Sequence, residues 1–297
     1  MSDGFSIHTV YAQPPERPIA YIHLLHGMGE HIGRYEEFIT FLTSEGFAVS
    51  GHNHRGHGRT ADLNGKLGDF GDTVGFDRIV EDAHEIIGFY RQKFQVPSVI
   101  LFGHSMGSFV ARRYAQRFGS ELDKLICSGT AGDPGFGRSI GQALAHMKGK
   151  ATKFDEPDYF LNKLVFGGFN KIVGTPKTPF DWLSRDMETV EKFINDPLCG
   201  FVPTTRFFND LFDGLAKIND LDNIRQVPSG LPILLLSGLD DPVGNKGKGV
   251  WHAARQFTDA GIENITVMLY EGGRHEMLNE VNREQVFIFI KDWIKIE

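Results

Sequence analysis

The sequence predicts an α/β protein built on a mostly parallel sheet, and three observations carry that prediction. Between residues 19 and 128, apolar runs of strand length alternate with longer segments of helical periodicity, the pattern of a parallel sheet with helices on both faces. The same alternation resumes at Leu231 and continues to the end of the chain. At its centre, Val99-Ile100-Leu101-Phe102 leads through Gly103-His104-Ser105-Met106-Gly107 into a helical pattern carried by Phe109, Val110, Ala111 and Tyr114. A serine between two glycines at a strand-to-helix turn is a nucleophile elbow. Small neighbours permit the tight turn, which lifts the hydroxyl out of the sheet beside the helix N-terminus.

The elements follow in order. Residues 5–12 alternate loosely and are predicted as an edge strand, closed by the turn at Pro14-Pro15. Residues 19–25 read as a buried strand ending at His26-Gly27-Met28-Gly29. Residues 34–44 place Tyr35, Phe38, Ile39, Phe41 and Leu42 on one face of an amphipathic helix that Gly46 stops. A strand over 47–51 precedes a long polar loop through Arg55-Gly56-His57-Gly58. A helix over 77–94 follows, then Pro97, the strand that feeds Ser105, and a strand over 122–128.

Beyond Asp133 the alternation breaks. Up to about Gly230 the periodicity is helical in short pieces, with no credible strand and a high density of aromatics that includes Phe154, Tyr159, Phe160, Trp182, Phe193 and Phe207. Residues 133–230 are therefore expected to form a helical lid over the carboxyl edge of the sheet, where open α/β sheets bind ligands. Residues 1–132 and 231–297 would make the two parts of the core. The second part reads as a strand over 231–237, a helix over 246–260, a strand over 264–270 and a final helix over 283–296.

Bulk properties narrow the function. The formal net charge of −7 argues against nucleic acid as a partner and gives no pull toward anionic lipid. Residues 1–18 lack a basic start followed by an apolar run, so no signal peptide is read, and the apolar stretches are too short to span a membrane. Cys127 and Cys199, the two cysteines, are expected to be free thiols, which points to a reducing, cytoplasmic setting.

A serine nucleophile needs a base, an orienting carboxylate and donors for the oxyanion. In a parallel sheet, residues at strand carboxyl ends converge. One such end carries Gly238-Leu239-Asp240-Asp241-Pro242-Val243 and the next carries Glu271-Gly272-Gly273-Arg274-His275-Glu276. Asp240 or Asp241, with His275, would thus meet Ser105, in the chain order Ser, Asp, His. The turn His26-Gly27-Met28-Gly29 can offer the Met28 N–H opposite the Met106 N–H as an oxyanion hole. Glu30 and Arg34 follow that turn and either face a leaving alcohol or pair locally.

With these motifs in place the chain resembles the α/β-hydrolase superfamily, and within it the lysophospholipase and monoacylglycerol lipase group. The resemblance covers nearly the whole chain, through His26-Gly27-Met28-Gly29-Glu30-His31-Ile32-Gly33-Arg34-Tyr35, Arg55-Gly56-His57-Gly58-Arg59, Gly103-His104-Ser105-Met106-Gly107, Gly238-Leu239-Asp240-Asp241 and Gly272-Gly273-Arg274-His275-Glu276. It implies the α/β-hydrolase fold, with the helical lid inserted before the strand that carries the catalytic acid. It also implies that the acid is Asp241, three residues after Gly238. The chain departs from the group's pattern at Asn53 and Thr60, where Asp and Ser are usual. The implied chemistry is cofactor-free hydrolysis of one acyl ester of a monoacyl lipid, a lysophospholipid or a monoacylglycerol, with transient membrane-surface contact through the lid. A small-ester carboxylesterase or thioesterase is the alternative of the same chemistry, and a non-catalytic ligand-binding protein the alternative of another class. Epoxide and haloalkane branches carry Asp at the nucleophile position, here Ser105.

Two further motifs invite other readings. His52-x-His54-x-x-His57 lacks a carboxylate or cysteine at ligand spacing, so no metal is assigned to it. Gly56-His57-Gly58-Arg59-Thr60-Ala61 looks like a dinucleotide fingerprint, but residues 62–68 read as loop and not helix, and no nucleotide is assigned. His104 is read as a packed neighbour of the nucleophile.

Overall fold

The computed structural model describes residues 1–71, 75–133 and 154–296. Seven strands form one sheet: β1 (Thr9–Ala12), β2 (Tyr21–Leu25), β3 (Ala48–His52), β4 (Val99–His104), β5 (Lys124–Ser128), β6 (Ile233–Gly238) and β7 (Ile265–Tyr270). Their order is β1-β3-β2-β4-β5-β6-β7, with β1 antiparallel on the edge and every other neighbouring pair parallel. The helices among the described residues are α1 (Glu36–Ser44), α2 (Gly58–Asn64), α3 (Gly75–Phe94), α4 (Met106–Phe118), α5 (Tyr159–Phe166), α6 (Met187–Asn195), α7 (Thr205–Ile218), α8 (Leu221–Ile224), α9 (Lys248–Asp259) and α10 (Arg283–Lys295).

The central strands are apolar along their whole length because both faces are covered. Alternation sends Ile22, Leu24, Ile100, Phe102, Leu234 and Leu236 into a core shared with α1 and α10. It sends Tyr21, Leu25, Val99, Leu101, Ile233 and Leu235 to the opposite face, against α3, α4 and α9. Ser105 therefore stands at the carboxyl end of β4, in the middle of the sheet.

Helices α5 to α8 lie between β5 and β6, and no strand is found among the described residues of this insert. Its helix starts are well signalled: Asp158, Asp186, Thr204 and Asp220 each accept from first-turn amides. The α7 helix is anchored to the core at Asp77, which accepts from Lys217 at 2.8 Å and from Arg113 at 2.8 Å. Residues 134–153, the start of the expected lid, lie outside the described residues.

One local expectation is corrected. The polar loop after β3 contains the helix α2, which Gly65 closes in a left-handed conformation at φ 75°. Thr60 fixes it, donating to the Asn53 carbonyl at 2.8 Å and accepting from the His8 N–H at 3.0 Å. With Leu63 exposed and Ala61 small, no apolar stripe marked this helix in the sequence. A helix thus does follow Gly56-His57-Gly58. A side chain on Gly56 would collide with the Asp69 backbone, so chain fills the space beside the turn.

β2, the turn at residues 26–29, β3 and the loop after β3 together bury five imidazoles. Ser50 Oγ lies 2.6 Å from Tyr21 Oη and 2.7 Å from His23 Nδ1, and His23 Nε2 lies 3.0 Å from His52 Nδ1. His54, His26 and His57 continue the group, with ring centroids 4.4 Å apart for His26 and His54 and 5.1 Å for His26 and His57. Burial pushes all five below the ordinary histidine value of 6.5, His52 to about 3 and His57 to about 4. A depressed folded-state pKa means that the unfolded chain binds more protons. The stability these groups confer is therefore complete above pH 6.5 and is lost as pH falls toward their folded values, by about 1.4 kcal/mol per pH unit for each group. Urea midpoints measured between pH 7 and pH 4.5 should fall steeply below pH 6.5; a midpoint that holds constant would mean that the native protein accepts these protons.

Candidate active site

The turn around Ser105 is built by close backbone contacts. Ser105 adopts φ 51° and ψ −120°, a strained conformation for a non-glycine residue that costs about 1–3 kcal/mol. Its N–H donates to the Ser128 carbonyl at 2.9 Å, pinning it to the neighbouring strand. A side chain at Gly103 would collide with the Gly107 backbone, and one at Gly107 would meet the Leu25 and His26 carbonyls. Both positions flanking the serine must be glycine for α4 to press this tightly on β2 and β4. Met106 opens α4, so its N–H is among the first-turn amides that have no intrahelical acceptor.

His275 and Asp241 arrive from the neighbouring strand ends. His275 Nδ1 lies 3.0 Å from Asp241 Oδ1. That same oxygen accepts from the Val243 N–H at 2.8 Å, while Oδ2 accepts from Ser237 Oγ at 2.8 Å, so the carboxylate is fixed in orientation. Burial would raise the Asp241 pKa, but the His275 charge and the three donors outweigh it and hold the group below 3.8. Asp240, the other candidate acid, contributes its N–H to the Gly273 carbonyl at 2.8 Å and lies partly exposed. Burial would lower the His275 pKa, yet the Asp241 charge and hydrogen bond, with Glu276 and Glu30 nearby, raise it above 6.5.

The turn at residues 26–29 packs against Ser105. A Cβ at Gly27 would stand 3.2 Å from Ser105 Cβ and 3.3 Å from the His104 ring, so the turn packs directly on Ser105. The Gly27 N–H donates to Glu30 at 2.5 Å, and Tyr35 Oη donates to the same Glu30 oxygen at 2.8 Å. The other Glu30 oxygen accepts from Arg34 at 2.6 Å, and Arg34 also binds both Glu276 oxygens at 2.6 Å. Glu30 and Arg34 are thereby joined to the residue after His275. Met28 packs its side chain on Leu161, Phe208 and Phe212 of the insert.

Other sequence candidates fall nearby. The His104 ring centroid is 4.7 Å from that of His275, and burial with the His275 charge lowers the His104 pKa to about 4. Asn53, at a position that departs from the group's pattern, accepts from the Ile32 N–H at 2.8 Å and supports the same turn. Three contributors were not singled out from sequence: Glu276, Ser237 and Trp182, whose ring centroid lies 5.1 Å from that of His275. Glu276 and Ser237 stand in the blocks that supply His275 and Asp241, whereas nothing in sequence distinguishes Trp182 from the other insert aromatics. Among the described residues, the group of metal-ligand type is His31, Asp196 and Cys199, and the buried imidazoles are not part of it.

Residues 16–282 match the family described as serine aminopeptidase, S33. The chain belongs to this family of α/β-hydrolases. A monoglyceride lipase homolog of Monkeypox virus is 25% identical over 98% of this chain and 95% of its own. Among solved structures, a highly thermostable carboxyl esterase from Bacillus coagulans, in complex with glycerol, superposes with a TM-score of 0.91, at 31% identity over 97% of this chain and 93% of that one. A structure described as an open-form lipase gives 0.85, at 32% identity over the same shares. The S33 hydrolase has no helix among its described residues long and apolar enough to cross a membrane.

The electrostatics set a pH profile. A general base must be neutral to accept a proton, so kcat/KM on a water-soluble ester should fall as pH drops through the raised His275 value, with its acid limb centred above 6.5. Asp241→Asn should move that limb down and reduce kcat by about 10⁴-fold, while Asp240→Asn leaves both nearly unchanged; equal losses in the two variants would remove Asp241 from its assigned place.

Proposed function

We propose that this S33 hydrolase cleaves the carboxylic ester of monoacyl lipids, monoacylglycerol or lysophospholipid, by a two-step acyl transfer. The observation that carries the reading is the buried Asp241–His275 pair, 3.0 Å apart, at the strand ends beside the strained Ser105 turn. Ser105 Oγ attacks the ester carbonyl while His275 Nε2 takes its proton; Asp241 keeps the Nδ1–H tautomer and steadies the imidazolium. The Met28 and Met106 N–H groups hold the oxyanion, each worth about 3 kcal/mol. His275 then protonates the departing alcohol, and water repeats the sequence on the acyl-enzyme to release the acid. Within this scheme Glu30 fixes the oxyanion turn through Gly27, and Arg34, beside it, borders the leaving alcohol.

The lipid reading rests on the insert, with the monoglyceride lipase homolog as support. Residues 133–230 act as a lid whose aromatics form its own core and line an acyl channel. On α5, Tyr159 is 73% exposed, Phe160 54% and Leu164 51%, an apolar surface suited to brief contact with a bilayer that holds the substrate. Free thiols at Cys127 and Cys199 fit a cytoplasmic setting. The carboxyl esterase, at 31% identity, favours a second reading in which short-chain esters are the substrates.

Fatty-acid release from a monoacylglycerol and a lysophosphatidylcholine of matched chain length, with Ser105→Ala as the blank, tests this directly. Release from one lipid is expected, with Ser105→Ala reduced by about 10⁴-fold or more. Brisk hydrolysis of a short-chain ester with little release from either lipid would establish the second reading. Labelling by a serine-directed fluorophosphonate, absent in Ser105→Ala, would rule out a protein that binds without turnover.

A further inference from the structure

Apart from the Ser105 site, one cluster brings three kinds of donor atom together. His31 Nε2, an Asp196 carboxylate oxygen and Cys199 Sγ lie within 4.8 Å of one another. Two of these donors are oriented by their own partners. The Gly33 N–H donates to His31 Nδ1 at 3.1 Å, turning Nε2 toward Asp196 Oδ2 at 2.9 Å. The Leu198 N–H donates to Asp196 Oδ1 at 2.8 Å, which leaves Oδ2 on the histidine side. The Cys199 N–H closes the turn on the Asp196 carbonyl at 3.0 Å and brings the thiol back to the same point. His31 and Asp196 open onto a groove of about 690 Å³ that Glu188, Glu191, Arg34 and Lys192 also line, so the cluster can be reached from solvent.

The local charge favours a dication. Arg34 lies beside the cluster, but Glu30, Glu276 and Asp196 set three negative charges against its one. Burial raises the Cys199 thiol pKa, and these carboxylates raise it further against the opposing Arg34 charge. A bound dication would reverse that balance and stabilise the thiolate.

We propose that His31, Asp196 and Cys199 form a site for a thiophilic divalent cation of the zinc class, completed by water. One imidazole, one carboxylate and one thiolate make a donor set that zinc accepts, whereas calcium and magnesium take oxygen donors. On binding, the Cys199 S–H proton leaves to solvent and the His31 proton moves from Nε2 to Nδ1, giving up the Gly33 contact. Asp196 and Cys199 belong to the insert, while His31 stands three residues after Met28. The adjacent Gly200 N–H already donates to the Gly29 carbonyl at 2.9 Å. The cation therefore ties the insert to the oxyanion turn, raising stability and slowing turnover.

The test uses the full chain stripped with a chelator, then titrated with Co²⁺ as a spectroscopic probe and Zn²⁺ as the ligand. A cobalt–thiolate charge-transfer band should appear, and Zn²⁺ at about 100 times Kd should raise the melting midpoint by roughly 5 °C. Cys199→Ala should abolish the band, and Asp196→Asn or His31→Gln should weaken affinity by about 10-fold or more. Zinc should slow ester turnover in the wild type and not in Cys199→Ala. Absence of the band and of the thermal shift would overturn the site. So would a band indifferent to His31 and Asp196, which would be adventitious binding to a thiol, or inhibition that persists in Cys199→Ala. Band and melting midpoint read binding directly, so they stand whether or not the ester assignment holds.

Discussion

The contact on which the site depends is made by an atom that is absent. Gly107 has no Cβ, and the Leu25 and His26 carbonyls occupy the place where one would be. That approach seats α4 against the end of β2, with Ser105 at φ 51°, and brings the His26-Gly27-Met28 turn onto Ser105. The two loops that would supply oxyanion donors are thus set against each other by backbone packing, which side-chain rotation cannot disturb. Strain of about 1–3 kcal/mol at Ser105 is tolerable because the sheet on both sides over-determines the turn.

A second constraint holds the histidine loop to the oxyanion turn. Arg34 bridges Glu30, which anchors the Gly27 N–H, and Glu276, which follows His275. Glu30 and Glu276 are 3% and 4% exposed, so an unpaired charge at either would be costly, and the bidentate guanidinium geometry is what makes the arrangement affordable. Such a network adds little net stability relative to a well-packed apolar core. Its effect is positional: two chain segments more than 240 residues apart share one rigid frame. Trp182, its ring centroid 5.1 Å from that of His275, adds the insert to that frame.

Much of this was legible in the sequence because the signals were backbone signals. Glycines around Ser105 announced the elbow, and the chain order of strand ends announced which loops would meet it. Asp240 and Asp241 were inseparable by topology alone; the separation comes from Ser237 Oγ and the Val243 N–H, which hold the Asp241 carboxylate toward His275. The helix α2 was missed because it is stabilised by the hydrogen bonds of Thr60 and by the Gly65 cap rather than by an apolar stripe. Glu30 and Arg34 were visible as charges, but Glu276, the second carboxylate that Arg34 binds, lies 242 residues beyond it, a distance no local pattern spans. The insert yields least to sequence reading, since some of its aromatics pack on one another and others on the core. Phe180 meets Phe193 at a tilted angle, while Phe201 meets His57 and Phe207 meets Phe70.

Histidine shows how the fold assigns opposite roles to one side chain. Of the chain's 12 histidines, His23, His26, His52, His54 and His57 are buried among one another, and His275 is equally buried. Desolvation opposes the charged form in all six. The five have imidazoles, hydroxyls and backbone groups as hydrogen-bond partners, which offset too little of that cost, so they are held neutral, with fixed tautomers such as His26, whose Nδ1 meets the Gly27 carbonyl at 2.7 Å while Nε2 accepts from the His54 N–H at 3.0 Å. His275 alone among these six has a carboxylate hydrogen-bonded to its ring, and that interaction reverses the sign of the shift. Neutral imidazoles thus pack in and beside the turn at residues 26–29 without adding positive charge there. The charge is thereby confined to the one ring that has a partner able to receive it, and it appears there only when a proton is taken.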